Sequence, residues 1–276
     1  MRLFFLLLFT GLSLFSQNNI QQYKKMLDEA LKMQEQQQGS GEMDIRIERV
    51  KGNVKIITSS EEEVSLTDNY QYPLEAGDVI KTGYDGYAQI FVNNIGIIGI
   101  DRNTEFEISE PSNDMIFTLD IGAIVSKFEN LIKNKMSLKI KTPSAVIGIR
   151  GTEFGVEYSK FGEETTAGVF DEGEISVYPG ETEDENQAIK IGKNMEVSLN
   201  PSSKRAKVIK MAKLMKYRRN IIEARKNIIK HKKYWKRFDR LQRQKYREML
   251  FKKRNNTLQK NGKKQRNIKN KKRSGK

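Results

Sequence analysis

The chain has 276 residues, no cysteine, a single histidine and a formal net charge of +15. These counts exclude disulfides, thiolate metal sites and cysteine nucleophiles, and leave length for one or two domains with a sizeable core. The charge is divided: residues 204–276 hold 31 Lys and Arg against three acids (Glu223, Asp239 and Glu248), a net of +28, while everything before them carries −13. So sharp a division marks two physically different parts, the second of which seeks anions.

In chain order, residues 1–16 (MRLFFLLLFTGLSLFS) read as a secretory signal, with Arg2 as the positive end and an apolar run too short for a comfortable membrane span. The expected location is therefore the periplasm or the cell surface, and without cysteine a lipid-anchored lipoprotein is excluded. Residues 17–43 are Gln-rich; Tyr23, Met26, Leu27, Ala30, Leu31 and Met33 predict one short helix, followed by a linker. From residue 44 to 200 the period becomes two. Short Ile- and Val-rich runs such as Ala88–Val92, Phe106–Ile108, Met115–Ile121, Met136–Lys141, Ile175–Val177 and Met195–Leu199 are punctuated by Gly, Asn, Asp or Pro. Many short strands with no helical pattern between them predict an all-β domain, a β-roll or solenoid-like coil with a β-sandwich as the alternative. A weak echo places Gly52, Gly173 and Gly192 each ahead of a two-period strand. Over 204–254, Leu214, Tyr217, Ile221, Ala224, Ile228, Trp235, Phe238, Leu241, Tyr246 and Met249 recur at three- and four-residue steps among Lys and Arg, which predicts a long basic amphipathic α-helix. Residues 255–276 lose the stripe and are expected to form a disordered basic end.

One segment is far more specific than the strand pattern. Residues 141–154 read Lys-Thr-Pro-Ser-Ala-Val-Ile-Gly-Ile-Arg-Gly-Thr-Glu-Phe, and flanking pieces keep a fixed order: Leu74-Glu75-Ala76-Gly77-Asp78-Val79-Ile80-Lys81-Thr82-Gly83, Leu119-Asp120-Ile121-Gly122 and Asp171-Glu172-Gly173-Glu174-Ile175. Together they resemble the FecR domain, from about Val50 to Leu199. The resemblance implies an all-β periplasmic module, which in founding members relays an iron-siderophore signal to a sigma factor. Those members carry an anti-sigma region and a membrane helix ahead of the domain. Here the expectation is an exported stand-alone FecR-domain protein without the anti-sigma region, so the sigma relay does not carry over.

The motif residues Thr142, Pro143, Gly148, Arg150, Gly151, Thr152, Glu153 and Phe154 read as structural. Pro143 suits a strand start or turn, the glycines suit tight turns, and Arg150 and Glu153, three apart, suit an ion pair that pins a corner. No catalytic, cofactor or metal residues are predicted. The lone His231 lies in a Lys-rich helix, a poor place for a triad, and phosphate-cradling glycine motifs are missing. The acidic runs Glu61–Glu63 and Glu181–Glu185 read as solvated loops whose spacing does not match a calcium loop.

The basic segment supplies the binding candidates: Arg218, Arg219, Arg225, Lys226, Lys232, Lys233, Trp235, Lys236 and Arg237. An anionic envelope component, a protein partner, self-association through 205–254 along the seven-residue spacing Leu214, Ile221, Ile228, Trp235, and fold-back onto the acidic body are the partners weighed. Export argues against nucleic acid, which stays as the rival for a chain that is not exported. The function expected is a non-enzymatic envelope FecR-domain module, a scaffold or sensor tethered by its basic helix. A carbohydrate-binding module is a further alternative, with Tyr70, Tyr72, Tyr84 and Tyr87 as candidate platforms.

Overall fold

The computed structural model describes residues 43–66, 71–129, 131–180, 183–201 and 206–252. The signal segment, the Gln-rich helix and linker up to residue 42, Tyr70 and the basic end at 255–276 lie outside the described residues.

Seventeen strands follow one another: β1 Ile45–Lys51, β2 Val54–Ile57, β3 Glu63–Leu66, β4 Tyr72–Leu74, β5 Val79–Thr82, β6 Tyr87–Val92, β7 Gly96–Ile100, β8 Glu105–Glu110, β9 Asp114–Phe128, β10 Ser137–Thr142, β11 Ala145–Ile149, β12 Glu153–Ser159, β13 Glu164–Val169, β14 Ile175–Pro179, β15 Ile189–Ile191, β16 Met195–Leu199 and β17 Ile209–Lys210. They pair in two ladders. The first runs β4-β1-β6-β7-β9-β12-β13-β16-β17. The second runs β3-β2-β5-β8-β9-β10-β11-β14-β15. Among these strand pairs only β9 with β10 is parallel. In the second half, hairpins alternate between ladders, so the chain winds like a roll while the ladders face each other across a common core, like a sandwich. The two architectures expected from the sequence describe one arrangement.

Strand β9 belongs to both ladders: Ile116–Ile121 pairs with β8, and Gly122–Lys127 pairs with β12. The passage needs a sharp change of direction, and Gly122 makes it at φ +96°, where a Cβ would overlap Thr104. Gly52 and Gly173, two of the three glycines in the sequence echo, sit at positive φ where the chain crosses from the first ladder to the second. Gly192 lies where the chain crosses the other way, from β15 of the second ladder to β16 of the first, and it does so without a positive φ.

The ladders differ in how their faces are used. In the second, β2, β3, β5 and β10 alternate buried and accessible residues, with one face on the core (Ile56, Ile80, Phe106, Leu138, Ile140) and one toward water. In the first, β6 and β7 are buried almost throughout. Ile90, Ile98, Ile124 and Val156 face the shared core, whereas Phe91, Ile97, Ala123, Val125 and Phe170 form a second apolar cluster with Met211, Leu214, Tyr217, Ile221, Ala224 and Ile228 of the C-terminal segment. The C-terminal segment thus forms a third layer over the outer face of the first ladder.

That segment is helical, in pieces. A 3-10 turn at Leu214–Tyr217 leads into α1 (Arg218–Tyr234), the chain extends at Trp235, and α2 covers residues 240–252. The single helix expected over 204–254 is therefore broken. Asp239 accepts from Gln242 N at 2.7 Å while the Gln242 side chain accepts from Asp239 N at 3.0 Å, a reciprocal cap that restarts the helix.

Candidate functional site

The seam between the C-terminal segment and the first ladder is built on acids of the β-domain. Glu153 opens β12 with its side chain only 2% accessible. Its carboxylate accepts from Lys127, directly opposite on β9, at 2.9 Å and from Arg225 Nε at 2.6 Å, and a second Arg225 nitrogen reaches its other oxygen. Arg225 also bonds Asp171, which Arg218 grips at 2.9 and 3.2 Å. Burial would raise the Glu153 carboxyl, but the hydrogen bonds and charges of Arg225 and Lys127 outweigh it and hold it below the usual glutamate range. Asp171 is held below its ordinary value chiefly by hydrogen bonds from Arg225 and Arg218. Arg225 is raised by the same partners, the hydrogen bonds it donates to Glu153 and Asp171 leading.

Further anchors run along the segment. Buried Glu196 on β16 accepts the backbone N–H groups of Lys213 (2.9 Å) and Leu214 (3.0 Å), placing a carboxylate at the start of the helical run. Lys216 reaches Glu157 at 2.7 Å, Lys232 pairs with Glu129, and the buried amides of Asn227 and Gln89 meet at 3.0 Å. At the break, Asp44 holds Arg46 and accepts from Phe238 N at 2.6 Å. Arg46 donates to the Lys236 carbonyl at 2.6 Å and lies 4.1 Å from the Trp235 ring centre and 3.6 Å from that of Phe238. On α2, Arg247 meets buried Asp78 and the Pro73 carbonyl.

Two acids of the resemblance motifs, Asp78 and Glu153, therefore each grip an arginine of the C-terminal segment. This corrects the corner pair read from the sequence. Arg150 is exposed on the bend between β11 and β12, and Glu153 is engaged by Lys127 and Arg225 instead. The chain changes ladder between residues 149 and 153, so an i, i+3 spacing does not bring the two side chains together. The other motif residues lie in turns, in strands and in the core. Pro143 sits in the two-residue turn that closes Thr142 onto Ala145, the Thr142 hydroxyl accepts from Ala145 N at 3.0 Å, Gly148 lies within β11, Gly151 stands at φ +107°, Thr152 bonds the Glu172 carbonyl, and Phe154 is fully buried.

The nine binding candidates divide. Arg218, Arg225 and Lys232 are spent on intramolecular acids, and Trp235 is half-buried against His231 and Arg46. Arg219, Lys226 and Lys233 stay exposed on the outer side of α1 beside Ile222 and Ile229, the latter 69% accessible. Lys236 is exposed with its carbonyl held by Arg46, and Arg237 is exposed within the break. The seven-residue spacing Leu214, Ile221, Ile228 and Trp235, read as a coiled-coil seam, packs on the chain's own ladder. His231 is buried rather than exposed: it stacks on Phe91 at 3.8 Å, and its ring nitrogens lie 3.3 Å from a Glu48 oxygen and 3.0 Å from the Asn93 carbonyl. Of the tyrosine platforms, Tyr72 is buried beneath Arg247, Tyr87 is half-buried and Tyr84 is exposed. Among the described residues there is no cluster of three or more His, Cys, Asp or Glu that could hold a metal, and no helix long and apolar enough to cross a membrane.

A mostly β, two-ladder module with a docked basic helical segment is the class that these elements define. Residues 78–176, from the start of β5 into β14, match the family model described as FecR protein. Two crystal structures of a candidate anti-sigma factor from Parabacteroides distasonis ATCC 8503 are similar at 12% identity and a TM-score of 0.41. The match covers 49% of this chain and 61% of the solved one, less than two thirds of its length. No curated protein matches the sequence.

Proposed function

We propose that this protein is a non-enzymatic sensing or scaffolding module of the cell envelope, in the periplasm or at the cell surface, and that the outer face of α1 holds it against an anionic envelope surface. The observation that carries the reading is the division of α1 into two sides. Its inner side is committed to the ladder through Ile221, Ala224, Ile228 and the Arg225 pairs. Its outer side, continued by Met215 of the turn ahead of it, carries Arg219, Lys226 and Lys233 alternating with Ile222 and Ile229, an arrangement suited to phosphate headgroups with apolar contact between them. The FecR domain supports a signalling rather than a catalytic role. The basic segment is thus both a structural layer and a contact face.

The test is sedimentation of the full chain with vesicles of phosphatidylglycerol and phosphatidylethanolamine, against phosphatidylcholine alone, across a salt series. Each basic residue at such a surface contributes about 1 kcal/mol. Arg219→Glu/Lys226→Glu/Lys233→Glu should therefore weaken binding roughly a hundredfold or more, with the melting temperature unchanged. Equal binding by the variant would remove α1 as the contact and leave residues 253–276 as the remaining basic segment. Binding to neutral vesicles as strong as to anionic ones would remove the electrostatic reading.

A further inference from the structure

An open cleft lies away from the outer face of α1. It encloses about 760 Å³, within the roughly 300–1,000 Å³ range of small-molecule sites. Its walls come from the β5–β6 loop, the β7–β8 loop, the Gly122 bend of β9, the β12–β13 hairpin and the first turn of the helical segment. Two aromatic rings flank it from separate loop tips: Tyr84 is 79% accessible and Phe161 fully so. Neither ring contributes to the core, and a hairpin tip has no structural need for phenylalanine. An apolar side chain left in water at a cleft mouth forgoes the stabilisation of burial and points to something that covers it.

The polar lining is of a particular kind. Asp101, Arg102, Asn103 and Asn220 bring planar carboxylate, guanidinium and amide groups, which pair with adjacent hydroxyls in the plane of the group. Three acids of the lining (Asp85, Asp101, Glu157) face three bases (Arg102, Lys160, Lys216), so the cleft is electrically balanced in a chain of net charge +15. An anion would find no preference there. The loops are braced before any ligand arrives: Asn103 N donates to the Gly83 carbonyl at 3.0 Å, Gly86 N to the same carbonyl at 3.0 Å, and Asp101 N to the Ala123 carbonyl at 3.0 Å. Burial also pushes the Asp101 carboxyl above its ordinary value.

We infer that this cleft is a binding site for a short, uncharged oligosaccharide, with Tyr84 and Phe161 stacking on the C–H faces of pyranose rings and the planar polar groups reading the hydroxyls. Rings with apolar faces and hydroxyl edges fit exposed aromatics beside uncharged-on-balance polar groups. The site stands independently of the α1 contact.

The experiment applies the full chain to an array of neutral oligosaccharides, including N-acetylated ones, and measures any retained sugar by calorimetry. Tyr84→Ala and Phe161→Ala should each weaken binding by about tenfold without moving the melting temperature, because both side chains are exposed. Asp101→Asn should weaken it as well, while the Arg219/Lys226/Lys233 charge reversals leave it unchanged. Retention of no sugar, or equal retention by the Tyr84→Ala/Phe161→Ala double variant, overturns the assignment. Capture of peptides in place of sugars, lost in the same double variant, would assign the cleft to protein chains and overturn it too.

Discussion

Replacing Glu153 with alanine removes the acceptor that joins β12, β9 and α1. Breaking a buried ion pair by deleting one partner costs about 3–5 kcal/mol. Here the loss is smaller for two reasons. Lys127 keeps Glu172 and Arg225 keeps Asp171, and the variant no longer has to desolvate a carboxylate that is 2% accessible. Arg225 is also a third exposed, which weakens its share. A net cost of about 2 kcal/mol follows, or a fall in melting temperature of about 4–8 °C for a domain of this size. Circular-dichroism melting of the full chain measures it. A double-mutant cycle with Arg225→Met should return a coupling of about 1–2 kcal/mol. Arg150→Ala is the control, and it should stay within about 0.5 kcal/mol because Arg150 is exposed and does not touch Glu153. If Arg150→Ala proved as costly as Glu153→Ala, or if the cycle showed no coupling, the seam would not be held as described.

Acid should loosen the same seam. Glu153 and Asp171 have folded values below their ordinary 4.5 and 3.8, so their contribution is fully present above those values and is lost as the pH falls through the depressed folded ones. The urea midpoint should decline below about pH 4.5, more shallowly in Glu153→Gln; an identical decline in both proteins would show that other groups control it. Gly122→Ala should cost about 3 kcal/mol or more, since it combines φ +96° with overlap on Thr104, whereas Gly180→Ala, at φ +84° with nothing within 4 Å, should cost only about 1 kcal/mol. Equal urea midpoints for the two variants would discount the overlap.

The strands of the second ladder were readable because one face of each is wet: Phe106 and Ile108, or Leu138 and Ile140, alternate with accessible residues. The third layer was written less openly. Ile90-Phe91-Val92 and Ile97-Ile98 are unbroken apolar runs, the mark of a strand covered on both sides, but only a partner layer gives that mark meaning. The stripe through Leu214, Ile221 and Ile228 was legible as an apolar helix face, while its destination was not. Asp239-Arg240-Leu241-Gln242 carries a capping-box pattern that locates the restart of the helix. The partner of Glu153 could not be read by spacing, since Arg225 lies 72 residues away and meets it only after the chain has changed ladder and folded back. Phe161 drew no attention in sequence because a lone aromatic in a turn carries no period.

The C-terminal layer has a consequence for the order in which the protein is made. Phe91, Ile97, Val125 and Phe170 line the outer face of the first ladder, yet Leu214, Ile221 and Ile228, which cover them, are made only afterwards. Until then the domain presents a bare apolar strip flanked by acids that lack their C-terminal partners. The segment 206–252 acts as a tethered ligand for that strip, present at a high local concentration from the moment it emerges and never diluted. A chain cut ahead of residue 206 would lose that advantage, and the strip would be open to any other basic amphipathic helix, including the detached segment of another copy.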